Sequence, residues 1–542
     1  MRTVHLRRWQ KAALDGFRTR AHSDFLAVAT PGAGKTTLAL VAARQDLAEA
    51  PGRKLVVVAP TQHLKTQWAD AAEALDLHLE TGWSARDGRL PADTHGLVTT
   101  YQQVAASAGA LTTLARDAFV VLDEVHHAGD DRAWGDAVTA AFSGARVRLC
   151  LSGTPFRSDT RAIPFVRYDR DGLAQPDVEY GYGDALADRS VVRPVRFPRM
   201  DGEMEWVDAD GSHASASFDD ALDAARSARR LRTALSADGQ WLPHVLERAH
   251  RQLLDVRRTH PGAAGLVIAI DQEHARAVAD ILRRVTGVGP NLVVSEDPDA
   301  SRRIGTFTHG TDAWLVAVRM VSEGVDIPRL RVGVFATTTT TELFFRQAVG
   351  RLVRWTRGLG AQPSYMFIPD DPRLRAHAFA ITTQRRHSLR RDDDAETTTD
   401  ASLLDEPVER GASEEQLSLF SAISAVAVGA PSVHRVEDGL PARPARTEDD
   451  DGVLVDLSPL PLLSPLTHGV DPVQPGGVRK YRTSLRETNG TLTRRIARVT
   501  GLSHAQVNGE LNRRVGLERI SEATVTQLER RRDQASAWLR TA

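Results

Sequence analysis

The stretch AVATPGAGKTTLAL, residues 27–40, joins an apolar run to a glycine-rich turn and a Lys-Thr pair. That combination can cradle phosphate. Gly32 and Gly34, with the small Ala33 between them, permit a tight backbone whose N–H groups converge on phosphate oxygens. Lys35 then reaches the β- and γ-phosphates of a nucleotide, and the Thr36 hydroxyl can ligate Mg²⁺. A helix running on from Thr37 would aim its positive dipole end at the same anion. The usual spelling is G-x-x-x-x-G-K-[ST], and here Ala29 stands in place of the first glycine.

A second stretch, FVVLDEVHHAGD, places four apolar residues before Asp123 and Glu124. Both carboxylates therefore fall at the carboxyl tip of a buried strand. There Asp123 can hold Mg²⁺ and Glu124 can polarise an attacking water. His126 and His127 follow, without further ligands at zinc-protease spacing, so a zinc site is not expected. Cys150, the single cysteine, lies in an apolar run and excludes a disulfide framework or a cysteine zinc site.

These residues need strands to carry them. Short apolar runs alternate with helical patterns from Phe25 to about Leu151 (LAVAT, KLVVVAP, GLVTT, FVVLDE, VRLCLSGT), which predicts a parallel sheet covered by helices. A second series begins at AGLVIAI and continues through LVVS, WLVAV, VGVFAT and SYMFIPD. Between them lie polar, Pro-containing text and an amphipathic, basic helical connector over 218–258. Residues 391–460 carry 17 acidic against 5 basic residues, with several prolines, and read as a loosely packed linker. From Gly476 the sign reverses, with 14 Arg and Lys against 6 Asp and Glu, a net of +8. The whole chain of 542 residues has a net charge of -1, so any affinity for a polyanion must come from such local clustering. Its N-terminus lacks the apolar core of a signal peptide and no long apolar run follows, so a cytoplasmic protein is expected.

In the acidic box, Asp123-Glu124-Val125-His126 resembles the D-E-x-H motif of superfamily 2 helicases and translocases, where a loop beginning with alanine is also common. Other stretches resemble the remaining motifs in order. LRRWQKAAL is similar to the N-terminal Q-type motif, which implies that Gln10 reads adenine. VVVAPTQHLKTQW and LVTTYQQV resemble nucleic-acid-contacting motifs and imply contacts from Pro60, Thr61 and Thr100. LSGTPFR resembles motif III, with Ser152 and Thr154 coupling nucleotide to cleft. AVRMVSEGVDIPRL resembles motif V, implying Gly324 and Asp326 at the nucleotide. FRQAVGRLVRW resembles motif VI, where Gln347, Gly350, Arg351 and Arg354 match Q-x-x-G-R-x-x-R. The resemblance spans about residues 6–369. It implies two tandem RecA-like parallel-sheet domains, an α/β fold, with ATP and Mg²⁺ bound by Gln10, Gly32 to Thr37, Gly324 and Asp326. Arg351 and Arg354, three residues apart on one helical face, then neutralise the γ-phosphate from the second domain as it closes.

The text of motifs V and VI is closer to the type III restriction enzyme ATPase subunit than to DEAD-box RNA helicases, so DNA is expected over RNA. No nuclease pattern accompanies it. The C-terminal TLTRRIARVTGLSHAQVNGELNRRVG reads as helix, turn at Gly501 to Ser503, helix, as in helix-turn-helix units. Gln506 and Asn508 would begin its second helix and face DNA; a protein-interaction module is the alternative. The expected organisation is a first RecA-like domain at 1–190, a partly helical connector at 191–258 and a second RecA-like domain at 259–375. A flexible acidic linker at 376–470 and a small basic helical domain at 471–542 complete it. The expected function is an ATP-dependent DNA helicase or double-stranded DNA translocase. Its rivals are an ATP-gated nucleic-acid-binding switch that recruits protein partners, or an RNA helicase.

Overall fold

The structure is a computed structural model that describes residues 2–129, 132–153, 162–170, 174–188, 191–208, 211–294, 299–318, 327–356, 358–390, 421–427, 452–457, 459–460 and 477–541. The chain forms two compact units. The first comprises Met1–Ala29, Gly34–Glu179 and Thr447–Ala542, and the second Thr30–Ala33 and Tyr180–Arg446. No helix among the described residues is long and apolar enough to cross a membrane.

The first unit is built on a seven-stranded sheet. Its strand order is Leu79–Glu80, Gly96–Thr100, Leu55–Ala59, Phe119–Leu122, Val147–Ser152, Asp24–Ala29, Val178–Tyr180. The central pairings are parallel, with Leu55 opposite both Gly96 and Phe119. Every residue of Leu55–Ala59 and of Phe119–Leu122 is buried, as a sheet covered on both faces requires. The strands Asp24–Ala29, Leu55–Ala59, Gly96–Thr100, Phe119–Leu122 and Val147–Ser152 run one way, so Ala29, Ala59, Thr100, Leu122 and Ser152 end at one edge. That carboxyl edge is where α/β sheets hold ligands.

The second unit repeats the design. Its parallel sheet runs Arg199–Met200, Ser364–Pro369, Leu330–Ala336, Ala264–Ala269, Trp314–Ala317, Asn291–Val293. Beside it lies a small antiparallel sheet of Gly202–Val207, His213–Ser217 and Ser421–Ala427. This element was not expected within a helical connector, although GEMEWV alternates buried and exposed as a half-covered strand should. The helices Ala224–Ala234 and Trp241–Thr259 pack on it, with Trp206, Phe218 and Trp241 in one apolar cluster.

Two features differ from the organisation expected of the C-terminal third. The acidic 376–470 segment contains the strands Ser421–Ala427 and Gly452–Leu457; the latter pairs antiparallel with the N-terminal strand Arg2–Arg7, Arg2 opposite Leu457. Residues 391–420, 428–451 and 461–476 lie outside the described residues. The C-terminal helices Gly477–Thr500, His504–Arg514 and Val525–Thr541 do not stand apart as a mechanically separate tail. They belong to the first unit, held by arginines on its acids: Arg482 Nη2 lies 2.8 Å from Asp93 Oδ2, and Arg486 Nη2 lies 3.1 Å from Glu80 Oε2. The reason is local complementarity, which a net charge of either segment does not reveal.

Candidate active site

The strand Asp24–Ala29 delivers the chain into the loop, and the helix Lys35–Glu49 leaves it. Gly32 and Gly34 adopt φ of +87° and +93°, the left-handed region where a side chain is strained. Gly34 is the N-cap residue; no side-chain cap and no acid occupies the first turn, which leaves the helix start suited to an anion. Gln10 supports the turn from below. Its amide NH₂ donates to the Gly34 carbonyl at 2.8 Å, and its Oε1 accepts from the Arg7 N–H at 2.8 Å. The side chain expected to read adenine is thus buried and joined to the glycine turn, at the start of a helix fed directly by the N-terminal strand.

Lys35 Nζ donates to the Ala29 carbonyl at 3.0 Å and lies 3.3 Å from Glu124 Oε1. The other Glu124 oxygen accepts from the Gly153 N–H at 2.9 Å and lies 3.7 Å from His126 Nδ1, which in turn meets Ser152 Oγ at 3.2 Å. Lys35, Glu124, His126, Ser152 and Gly153 therefore form one connected cluster. Glu124 sits at φ +46°, a strained value for a non-glycine residue, and its side chain remains 26% exposed. Burial works to raise its carboxyl, but Lys35, His126 and the Gly153 N–H outweigh that and hold it below the usual carboxylate range.

Asp123 differs. Burial, and then the charge of Glu124, push its carboxyl above the usual range, with the Trp68 indole opposing. Trp68 Nε1 donates to Asp123 Oδ2 at 2.7 Å, while Tyr101 Oη donates to the Asp123 carbonyl at 2.9 Å. Sequence reasoning passed over both aromatic residues, although each sits within a quoted motif. Thr36 is one residue into the helix, and Thr37 follows it. The donor set fits Mg²⁺: a hydroxyl and a carboxylate are hard oxygen ligands, and Trp68 engages only one oxygen of that carboxylate. The positive-φ glycine turn fits the phosphates.

Pro60, Thr61 and Thr100 are brought to the same sheet edge, with Ala59 directly opposite Thr100. Both threonines cap helices: Thr61 Oγ1 accepts from the Leu64 N–H at 3.4 Å, and Thr100 Oγ1 from the Gln103 N–H at 3.2 Å. Buried Lys65 ties the two segments by donating to Gln103 Oε1 at 2.9 Å. In the second unit, Gln347 lies on the helix Glu342–Gly350, Arg351 caps its end, and Arg354 forms a β-bridge with Val192. The segment is pinned by Arg193, fully buried, which donates to the carbonyls of Leu330 and Pro328, each at 2.9 Å, and to Thr356 Oγ1 at 3.0 Å. Thr154, Gly324 and Asp326 lie outside the described residues.

The two residues expected to read DNA have other engagements. Gln506 closes a capping box with Ser503, and Asn508 Oδ1 accepts from Arg531 Nη2 at 2.6 Å. Arg531 is itself buried among Asn489, Asn508 and Asn512. Asn508 Oδ1 therefore satisfies a core guanidinium.

Residues 3–157 match the family model described as Type III restriction enzyme, res subunit. An uncharacterized protein of Mycobacterium tuberculosis is 46% identical over 392 residues, 71% of this chain and 65% of the relative. One from Mycobacterium leprae is 46% identical over 390 residues, with the same shares. The chain thus spans 65% of the length of these curated relatives. Among solved structures, a fragment of a putative HsdR subunit of a type I restriction enzyme from Vibrio vulnificus aligns with TM-score 0.47 and 17% identity, over 68% of this chain and 65% of that one. The ATP-dependent type ISP restriction-modification enzyme LlaBIII bound to DNA aligns with TM-score 0.48 and 16% identity, over 71% of this chain and 30% of that one.

Proposed function

We propose that this chain, a superfamily 2 helicase-like protein whose residues 3–157 match the res-subunit family model, is a nucleic-acid-dependent ATPase that translocates on or unwinds DNA. The observation that carries the reading is the cluster of Lys35, Glu124, Ser152 and Gly153 beside a positive-φ glycine turn, at the carboxyl edge of a parallel sheet. Thr36 and Asp123 would hold Mg²⁺, which when bound offsets charge on the β- and γ-phosphate oxygens.

The chain's own groups do the rest. The loop N–H groups and Lys35 bind the phosphates. As Lys35 turns to them, Glu124 loses its cationic partner and becomes a better acceptor for the proton of the attacking water, while the Gly153 N–H keeps that carboxylate aimed. Preference for DNA rests on the motif V and VI text.

Steady-state ATPase measured with and without duplex DNA, and with RNA of equal length, tests the reading. DNA should stimulate turnover most, and Glu124→Gln should bind ATP while failing to hydrolyse it. Wild-type turnover in Glu124→Gln would sink the carboxylate assignment, and stimulation by RNA alone would reverse the choice of track.

A further inference from the structure

The C-terminal module has two ends of opposite electrical character. At its inner end, around the cluster of Val478, Leu485, Ala523, Val525 and Leu528, the cations are matched. Arg479 pairs with Asp70, Arg482 with Asp93, Arg486 with Glu80, and Arg519 donates to the Arg86 carbonyl at 2.9 Å. At its outer end a separate cluster of Ile496, Val507, Leu511 and Ala535 holds the helices together. From 488 to 509 the chain has no Asp or Glu, yet Arg494, Arg495 and Arg498 are all exposed there. Arg540 is exposed on the neighbouring helix, beside Leu539, which packs on the same cluster.

Arg494 and Arg498 are one helical turn apart, so like charges adjoin on one face, an unfavourable arrangement in isolation. Elsewhere in the module the same situation is relieved internally, since Arg513 and Arg514 both pair with Glu510. At the outer end no acid on the same stretch does so. A polyanion would.

We propose that this outer face, Arg494, Arg495 and Arg498 with Arg540, binds the phosphodiester backbone of a nucleic acid without regard to sequence. The proposal rests on the reading of the protein as a nucleic-acid-dependent ATPase and gives that track a second point of attachment. Backbone rather than base contact follows from the engagement of Gln506 in its cap and Asn508 on Arg531.

The test uses the full chain carrying Arg494→Gln, Arg495→Gln and Arg498→Gln together, titrated by fluorescence anisotropy against mixed-sequence duplex DNA and single-stranded RNA over a range of salt. A thermal melt matching wild type establishes that the exposed substitutions leave the fold intact. Each lost phosphate contact should flatten the slope of log affinity against log salt by about 0.9 on duplex and about 0.7 on single strands. Three lost contacts therefore flatten it by about 2.7 on the duplex, with weaker binding at low salt and no difference between scrambled sequences. Unchanged affinity and slope, with DNA still stimulating the ATPase, overturn this proposal and leave the functional reading standing. Loss of self-association in the variant with nucleic-acid binding intact also overturns it, in favour of a protein surface. Failure of the wild type to bind any nucleic acid overturns both.

Discussion

Arg482 is the residue on which the docking of the C-terminal helices should turn. Its side chain is 7% exposed and faces Asp93 at 2.8 Å and Glu80 at 3.8 Å, both also buried. Replacing it by alanine leaves two acids in a poorly solvated interface. Removing one partner of a buried ion pair costs about 3–5 kcal/mol. The lower figure applies here, because Asp93 keeps the Val525 N–H at 2.9 Å, and Glu80 keeps Arg486 and the Gly82 N–H at 3.0 Å. A loss of about 3 kcal/mol raises the population of the undocked module about a hundredfold. Native-state hydrogen exchange reads this directly: amides of Gly477–Thr500 and Val525–Thr541 should exchange about a hundredfold faster, while those of Leu55–Ala59 should change far less. Neutralising the stranded acid with Asp93→Asn in the same chain should recover part of the loss, so the two substitutions should be non-additive by at least about 1 kcal/mol. An increase below threefold, or strict additivity, would refute the view that this pair holds the helices in place.

Three further substitutions examine the site and its supports. Gly34→Ala puts a Cβ 2.5 Å from Gln10 Nε2 at a φ of +93°, so about 1–3 kcal/mol of strain should weaken binding of a fluorescent ATP analogue tenfold or more; unaltered affinity would show that the loop is not held in this turn. Trp68→Phe keeps the ring but removes the donor to Asp123, a bond to a charged group contributing about 1.5–3 kcal/mol. Mn²⁺ binding measured by electron paramagnetic resonance, and the Mg²⁺ concentration for half-maximal ATPase, should both shift about tenfold, and the melting temperature should fall by several degrees; an unshifted metal dependence counts against the role. Arg193→Met strands the Leu330 and Pro328 carbonyls, at about 1–3 kcal/mol for each buried unsatisfied group. It should lower the thermal midpoint of the second unit by several degrees, and Arg193→Lys, lacking the planar fork, should not restore it.

The motifs were legible because their chemistry is local. A tight turn through Gly32 and Gly34 needs only neighbouring residues, and a run such as FVVL before Asp123-Glu124 announces a buried strand with acids at its tip whatever surrounds it. The strand-helix alternation likewise declared two parallel-sheet units, since a fully buried strand needs apolar residues on both faces. Tertiary structure decided how each motif residue is held. That Trp68 orients Asp123, that Gln10 braces Gly34, and that Arg193 ties the segments at Leu330 and Thr356 are contacts across long stretches of chain between residue types that fit many environments. The antiparallel pairing of Arg2–Arg7 with Gly452–Leu457 joins strands too far apart for any periodicity to link. Charge was the least legible of all. A net of +8 in the last segment counts arginines alike, whether exposed as Arg498 is, buried on Asp93 as Arg482 is, or enclosed by asparagines as Arg531 is. Sequence fixes how many charges a segment carries; only folding decides which of them meet water, because that depends on the acids and carbonyls the tertiary structure brings alongside.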